Sequence, residues 1–172
     1  MASGKTFYRV NKRHLEYLTA EGTYTRIQRD DGLRRFTEER KTLDPVLTNT
    51  AASYYEINNN IGMVEFHSKA NALDADSMGL LGEAVKHAEE NYIGLIIHND
   101  ASHFSCGVNL EVIGGFIESQ DWAGLDSFLD HFQKTVKAMK YSHIPVISAP
   151  SGLSIGGGFE VVLSTDMTIY HA

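Results

Sequence analysis

Apolar positions change their period several times along this chain, and each change marks an element. Short apolar runs from Ser53 to Ile57 and from Gly62 to Phe66 flank Asn58-Asn59-Asn60, which predicts two strands around a polar hairpin turn. Met78, Leu81, Val85 and Ala88 then recur at helical spacing behind Asp74, a residue type that caps helix N-termini. Gly94-Leu95-Ile96-Ile97-His98 is a continuous apolar run of strand length. Residues 102–107 read as a loop and residues 108–117 as a helix, despite Gly114 and Gly115. Asp121 opens the longest helix, whose Leu125, Phe128, Leu129, Phe132, Val136 and Met139 form an apolar stripe of the kind that packs a core. Pro145 stops it and leads into the strand Val146-Ile147-Ser148-Ala149.

Strand, loop and helix thus alternate, which predicts an α/β fold with a largely parallel sheet. Sheets of this kind take ligands beyond the carboxyl ends of their strands, so the loops around Lys69, Cys106 and Gly157 are expected to meet. The last of these is Ser151-Gly152-Leu153-Ser154-Ile155-Gly156-Gly157-Gly158-Phe159-Glu160. Consecutive glycines let the backbone approach a ligand closely, and Glu160 falls in the first turn of the helix that follows. A carboxylate beside free N–H donors has the makings of an acid/base next to an oxyanion site. The plain alternative is a glycine-rich corner with a solvated glutamate.

Gly152-Leu153-Ser154-Ile155-Gly156 also fits G-x-S-x-G, the nucleophile elbow of a serine hydrolase of the α/β-hydrolase type, with Ser154 as nucleophile. Only Asp166 and His171 follow as partners, both on one short segment. A dinucleotide or P-loop reading has no support, because neither G-x-G-x-x-G nor a terminal Gly-Lys-Ser/Thr is present.

Charge divides the chain. Residues 1–53 hold 10 Lys/Arg against 7 Asp/Glu, whereas residues 54–172 hold 5 against 15, within a net charge of −7. The acidic part argues against a nucleic-acid partner. A single cysteine excludes an internal disulfide framework, and the scattered histidines show no metal-ligand spacing. No long apolar span or signal-peptide pattern occurs, so a membrane partner is not expected and a cytoplasmic location is. In the basic segment, residues 5–10 can form a short strand, Tyr17, Tyr24 and Ile27 can dock on a neighbour, and the charged run 29–41 reads as a solvated helix or linker. The expected organisation is a basic N-terminal extension or connector, residues 1–53, followed by a globular domain, residues 54–172.

Ile155-Gly156-Gly157-Gly158-Phe159-Glu160 resembles the Gly-Gly-Gly-x-Glu turn of the crotonase (enoyl-CoA hydratase/isomerase) superfamily. Phe104-Ser105-Cys106-Gly107-Val108-Asn109-Leu110 is similar to that family's F-x-A-G-A-D-L loop, with Cys106 and Asn109 as departures. The likeness runs from about Tyr54 to Ala172 and is nearest to the C-terminal hydratase part of bacterial bifunctional 3-hydroxyacyl-CoA dehydrogenase/enoyl-CoA hydratases. It implies a spiral of ββα units, incomplete at the C-terminal end, and a trimeric homo-oligomer as the family's usual assembly.

The implied activity is hydration of a 2-enoyl-CoA thioester in fatty-acid β-oxidation, with the coenzyme A thioester as substrate, no bound cofactor, no metal, and a dehydrogenase domain in the parent polypeptide. By the same resemblance Glu160 is the catalytic carboxylate, and the N–H groups of Cys106 and Gly157 form the oxyanion hole. Lys69, Ala70, Ala72, Leu73, Gly107 and Gly156 line the coenzyme A and substrate path. The family's second glutamate falls beyond Ala172, so a non-catalytic acyl-CoA-binding fragment is a further expectation, and exposed sheet edge and apolar surface are expected with it.

Overall fold

A computed structural model of the chain describes residues 4–11, 14–28, 35–57 and 60–170. It forms two compact units, Met1–Asp44 and Pro45–Ala172. In the first, β1 (Tyr8–Asn11), β2 (His14–Leu18) and β3 (Tyr24–Arg26) make an antiparallel sheet in that order. Arg9 pairs with Glu16 at 2.7 Å and stacks 3.8 Å over the Tyr24 ring, tying the three strands together. The short helix α1 (Phe36–Glu39) buries Phe36. The segment expected to be one strand and a linker therefore carries a small sheet. Residues 29–34 of the charged run lie outside the described residues.

The second unit is built on β4 (Leu47–Thr48), β5 (Ala52–Ile57), β6 (Ile61–Phe66) and α2 (Ala75–Asn91). There follow β7 (Gly94–Asn99), β8 (His103–Ser105), α3 (Leu110–Glu118) and α4 (Trp122–Lys140), then β9 (Val146–Pro150), β10 (Leu153–Ser154), α5 (Gly157–Leu163) and β11 (Met167–Thr168). Six strands lie in the order β11-β9-β7-β6-β5-β4. The β4, β5 and β6 pairings are antiparallel, and β6, β7, β9 and β11 run parallel. Ahead of Tyr54, Leu47 and Thr48 pair with Tyr54 and Ser53 as an edge strand of this unit. The β5–β6 hairpin forms as expected, in register Ile57 to Ile61, with Asn60 in the left-handed region at φ 60°; Asn58 and Asn59 lie outside the described residues.

Helix α2 follows directly from its sequence. The Asp74 side chain accepts from Ser77 N at 2.8 Å while the Asp74 N–H donates to Ser77 Oγ, a reciprocal capping box. Met78, Leu81, Val85 and Ala88 are all fully buried against the sheet, and each large side chain contributes about 1.5–3 kcal/mol by leaving water. The α4 stripe is narrower than its spacing suggests. Phe128, Phe132 and Met139 are buried, Thr135 joins them, and Leu129 stays 44% exposed. Two elements in the expected 102–107 loop region and the turn after β9 were not anticipated: β8 and β10 pair in parallel as a separate two-stranded ladder.

At the far end of the unit Phe159, Leu163, Met167, Ile169 and Tyr170 are each 43–65% exposed, and among the described residues β11 has a partner on one side only. This matches the expected exposure of apolar surface and sheet edge. Among the described residues no helix is long and apolar enough to cross a membrane.

Candidate active site

The β8–β10 ladder brings the three chemistry-bearing loops together. Ile155 N donates to Ser105 O at 3.0 Å and Leu153 N to Ser102 O at 3.2 Å, which fixes the glycine turn beside the Cys106 loop. The Lys69 loop is tied in through Leu73, whose N–H donates to Gly107 O at 2.8 Å and whose carbonyl accepts from Asn109 N at 2.7 Å. Ala70 and Asn71 hold left-handed conformations there, at φ 55° and 51°, a cost of about 1–2 kcal/mol each for non-glycine residues. Asn71 offsets part of it by donating through Nδ2 to His103 O at 2.7 Å. The expected convergence is therefore present in the backbone hydrogen bonds.

Two glycines are required by this closeness. Gly107 sits at φ +88°, and a Cβ there would lie 2.7 Å from Ile155 O and 3.2 Å from Gly157 N. Gly158 faces β8, and a Cβ there would lie 2.6 Å from Ser105 Cβ and 2.9 Å from Ser105 O. Helix α5 thus starts in direct contact with the Cys106 loop, with Gly157, Gly158, Val161 and Val162 on its buried side.

The proposed donors differ in state. Among the described residues the Gly157 N–H, at the first position of α5, has no acceptor. The Cys106 N–H instead donates to Ala70 O at 3.2 Å, at the long end of the normal range. The family resemblance implies both as oxyanion-hole donors. Glu160 is exposed in the first turn of α5, one turn from Gly157, and its side chain has no partner among the described residues. Gly156 is open, with nothing within 4 Å of where a Cβ would stand, and Gly107 is buried.

The residues expected to line a coenzyme A path divide. Lys69 and Ala70 are exposed and Ala72 is half-buried, so all three can meet a ligand. The Leu73 side chain is fully buried and both its backbone groups are hydrogen-bonded to the Cys106 loop. Sequence reasoning also missed Ser105 and Asn71, both buried and both bonded across loops. Their signal was a polar residue inside an otherwise apolar motif, which in a core must find partners.

The serine-hydrolase constellation is not assembled among the described residues. Ser154 lies within β10, two residues before the strand-to-helix turn is complete, and its Oγ is buried without a hydrogen bond. Asp166 accepts from Val146 N at 2.8 Å and so serves the start of β9, while His171 lies outside the described residues. No cluster of His, Cys, Asp and Glu among the described residues has metal-binding geometry.

The assembled geometry is a strand-bound glycine turn facing an F-x-x-G loop, with a glutamate one turn on. Residues 56–172 match the model of the enoyl-CoA hydratase/isomerase family, and the chain belongs to that family. Its fold is the crotonase fold: the enoyl-CoA hydratase of Bacillus halodurans superposes with a TM-score of 0.64 at 24% identity, over 70% of this chain and 50% of that one. A Bacillus subtilis protein named "Probable 3-hydroxyacyl-CoA dehydrogenase" is 29% identical over 159 residues, 92% of this chain and 20% of that protein. A Rickettsia prowazekii protein with the provisional name fatty acid oxidation complex trifunctional enzyme is 30% identical over 142 residues, 83% of this chain and 19% of its own length. The chain spans about a fifth of the length of these curated relatives.

Proposed function

We propose that this chain supplies the thioester-binding and oxyanion half of an enoyl-CoA hydratase that acts on 2-enoyl-CoA in fatty-acid oxidation. The carrying observation is the close approach of the Gly107 turn to the start of α5, where a Cβ on Gly107 would lie 3.2 Å from Gly157 N, with Glu160 one helical turn away. In hydration the oxygen of water joins C3 of the enoyl group, the C2–C3 π pair moves toward the thioester carbonyl, and negative charge grows on that oxygen. Two N–H donors aimed there lower the barrier by roughly 3 kcal/mol each. Glu160 takes the proton from water, and the same proton delivered to C2 balances the addition of one water molecule. The Cys106 N–H reaches the thioester oxygen by exchanging its long bond to Ala70 O for the stronger one to a charged acceptor.

Lys69, exposed on the adjoining loop, offers a cation to a coenzyme A phosphate, while Ala70 and Ala72 lie along the pantetheine path and Gly156 leaves the approach open. A dehydrogenase region elsewhere in a longer polypeptide fits the names of the curated relatives. A cytoplasmic setting belongs to the same proposal, and so does association into a homo-oligomer, which the exposed apolar side of α5 and the open edge of β11 support. The test is titration with acetoacetyl-CoA, followed by its enolate absorbance, beside crotonyl-CoA hydration by the chain and by Glu160→Gln. The reading expects an enolate band in both proteins and hydration lost in the variant. A folded chain that binds without any band overturns it, and a band with no hydration in the unaltered chain leaves the acyl-CoA-binding role alone.

A further inference from the structure

Ser105 lies at the centre of the three loops. It is fully buried, and its Oγ donates to Asn71 O at 2.7 Å and accepts from Gly107 N at 3.0 Å. Its own carbonyl accepts from Ile155 N at 3.0 Å, and its Cβ fills the space in front of Gly158. One residue thus bonds to the Lys69 loop, to the Cys106–Gly107 turn and to the glycine turn before α5. Gly107 is clamped on both sides, its N–H by Ser105 Oγ and its C=O by Leu73 N. At φ +88° the turn depends on these bonds, since a glycine explores such space freely when unrestrained.

We infer that Ser105 is a positioning residue of the oxyanion site, whose hydroxyl holds the Gly107 N–H at 3.0 Å so that Gly157 and Cys106, the latter by releasing its 3.2 Å bond to Ala70 O, are the donors presented to a thioester oxygen. The inference rests on the function proposed above. The physical reason is selection between adjacent donors. The N–H groups of Cys106 and Gly107 belong to successive peptide planes of one tight turn, and a buried N–H without an acceptor is costly. Remove the hydroxyl, and the turn gains by rotating the Gly107 N–H toward a bound thioester or toward Ala70 O, which misaims the Cys106 donor. A misplaced donor costs rate far more than it costs binding, because it acts on charge that develops only in the transition state.

Two measurements test this on the intact chain. Without ligand, backbone amide exchange followed by NMR is expected to find the Gly107 amide protected and to lose roughly tenfold of that protection in Ser105→Ala, the loss of about one hydrogen bond. With saturating acetoacetyl-CoA, the Cys106 and Gly157 amides are expected to shift while Gly107 does not, and Ser105→Ala is expected to lower the enolate absorbance at least several-fold. Ser148→Ala serves as the matched control. Ser148 is equally buried and bonded to Thr165 and Thr168 but lies in β9, so its loss lowers stability and leaves the enolate band at saturation unchanged. An unaltered enolate band in Ser105→Ala, or a Gly107 amide in the unaltered chain that shifts on ligand binding, overturns the inference. If Ser105→Ala does not fold, the amide shifts of the unaltered chain decide alone. A chain that shows no enolate band at all refutes the proposed function, while the ligand-free Gly107 exchange still reports separately on the clamp.

Discussion

Gly158→Ala and Gly114→Ala set two opposing effects against each other in helices of the same protein. Replacing a helical glycine by alanine contributes about 1 kcal/mol of stability where nothing obstructs the new methyl. Gly114 in α3 is such a position, with nothing within 4 Å of a Cβ placed there. Gly158 is not, because its methyl would lie 2.6 Å from Ser105 Cβ and 2.9 Å from Ser105 O, where ordinary contact begins near 3.4 Å. The second obstacle is backbone in β8, which cannot swing aside as a flexible side chain does. Overpacking of this kind costs about 1–3 kcal/mol, enough to cancel the helix gain and exceed it. Relief requires α5 to move off β8 by nearly an ångström, and the Gly157 N–H moves with it. A displacement of that size at a catalytic group costs on the order of 100-fold in rate. Urea unfolding of the two variants, with the enolate band of acetoacetyl-CoA measured on each, provides the assay. Gly114→Ala is expected to raise the midpoint and keep the band. Gly158→Ala is expected to lower or leave the midpoint and lose most of the band. If Gly158→Ala is stabilised as much as Gly114→Ala and keeps the band, the tight seating of α5 on β8 is wrong.

Two further outcomes follow from packing and titration. Burial holds the Tyr54 hydroxyl well above its ordinary value of 10.0, with Tyr92 and Glu56 adding to the effect. The folded state keeps this proton where the unfolded chain releases it, so its stabilisation is complete below pH 10 and is lost as pH rises beyond it. Thermal unfolding against pH is expected to show a decline above pH 10 that is shallower in Tyr54→Phe; an equally steep decline in the variant contradicts this assignment. Asp74→Ala removes the α2 cap and is expected to cost about 1 kcal/mol in urea unfolding, with a change under about 0.3 kcal/mol counting against the capping box.

Elements with long periodic patterns were legible because many residues vote for them. Helix α2 declares itself through its Asp74 cap and four spaced apolar residues, and the β5–β6 hairpin through Asn58-Asn59-Asn60. Strands of two or three residues carry no period, so β4, β8 and β10 were invisible. Leu129 fits the helical stripe of α4 but faces solvent, since spacing defines a face and not how widely a neighbour covers it.

The site was legible at the level of loops and not of bonds. Parallel α/β logic brings Lys69, Cys106 and Gly157 to one end of the sheet, and the hydrogen bonds confirm that meeting. Which backbone groups are left free is a tertiary matter. That the Cys106 N–H rests on Ala70 O, that both Leu73 backbone groups bond the Cys106 loop and that Ser105 joins all three loops depend on left-handed residues at Ala70 and Asn71 which no local pattern announces.

In the proposed site the N–H groups of Gly157 and Cys106 polarise a thioester carbonyl beside Glu160. Isotope-edited difference infrared spectroscopy of a 2-enoyl-CoA carrying 13C at that carbonyl tests it most directly, using Glu160→Gln so that the ligand is not consumed. The account predicts that the labelled carbonyl band moves to lower frequency on binding, as hydrogen bonding draws charge onto the oxygen. A ligand that binds stoichiometrically with its carbonyl band at the position seen in free solution contradicts it.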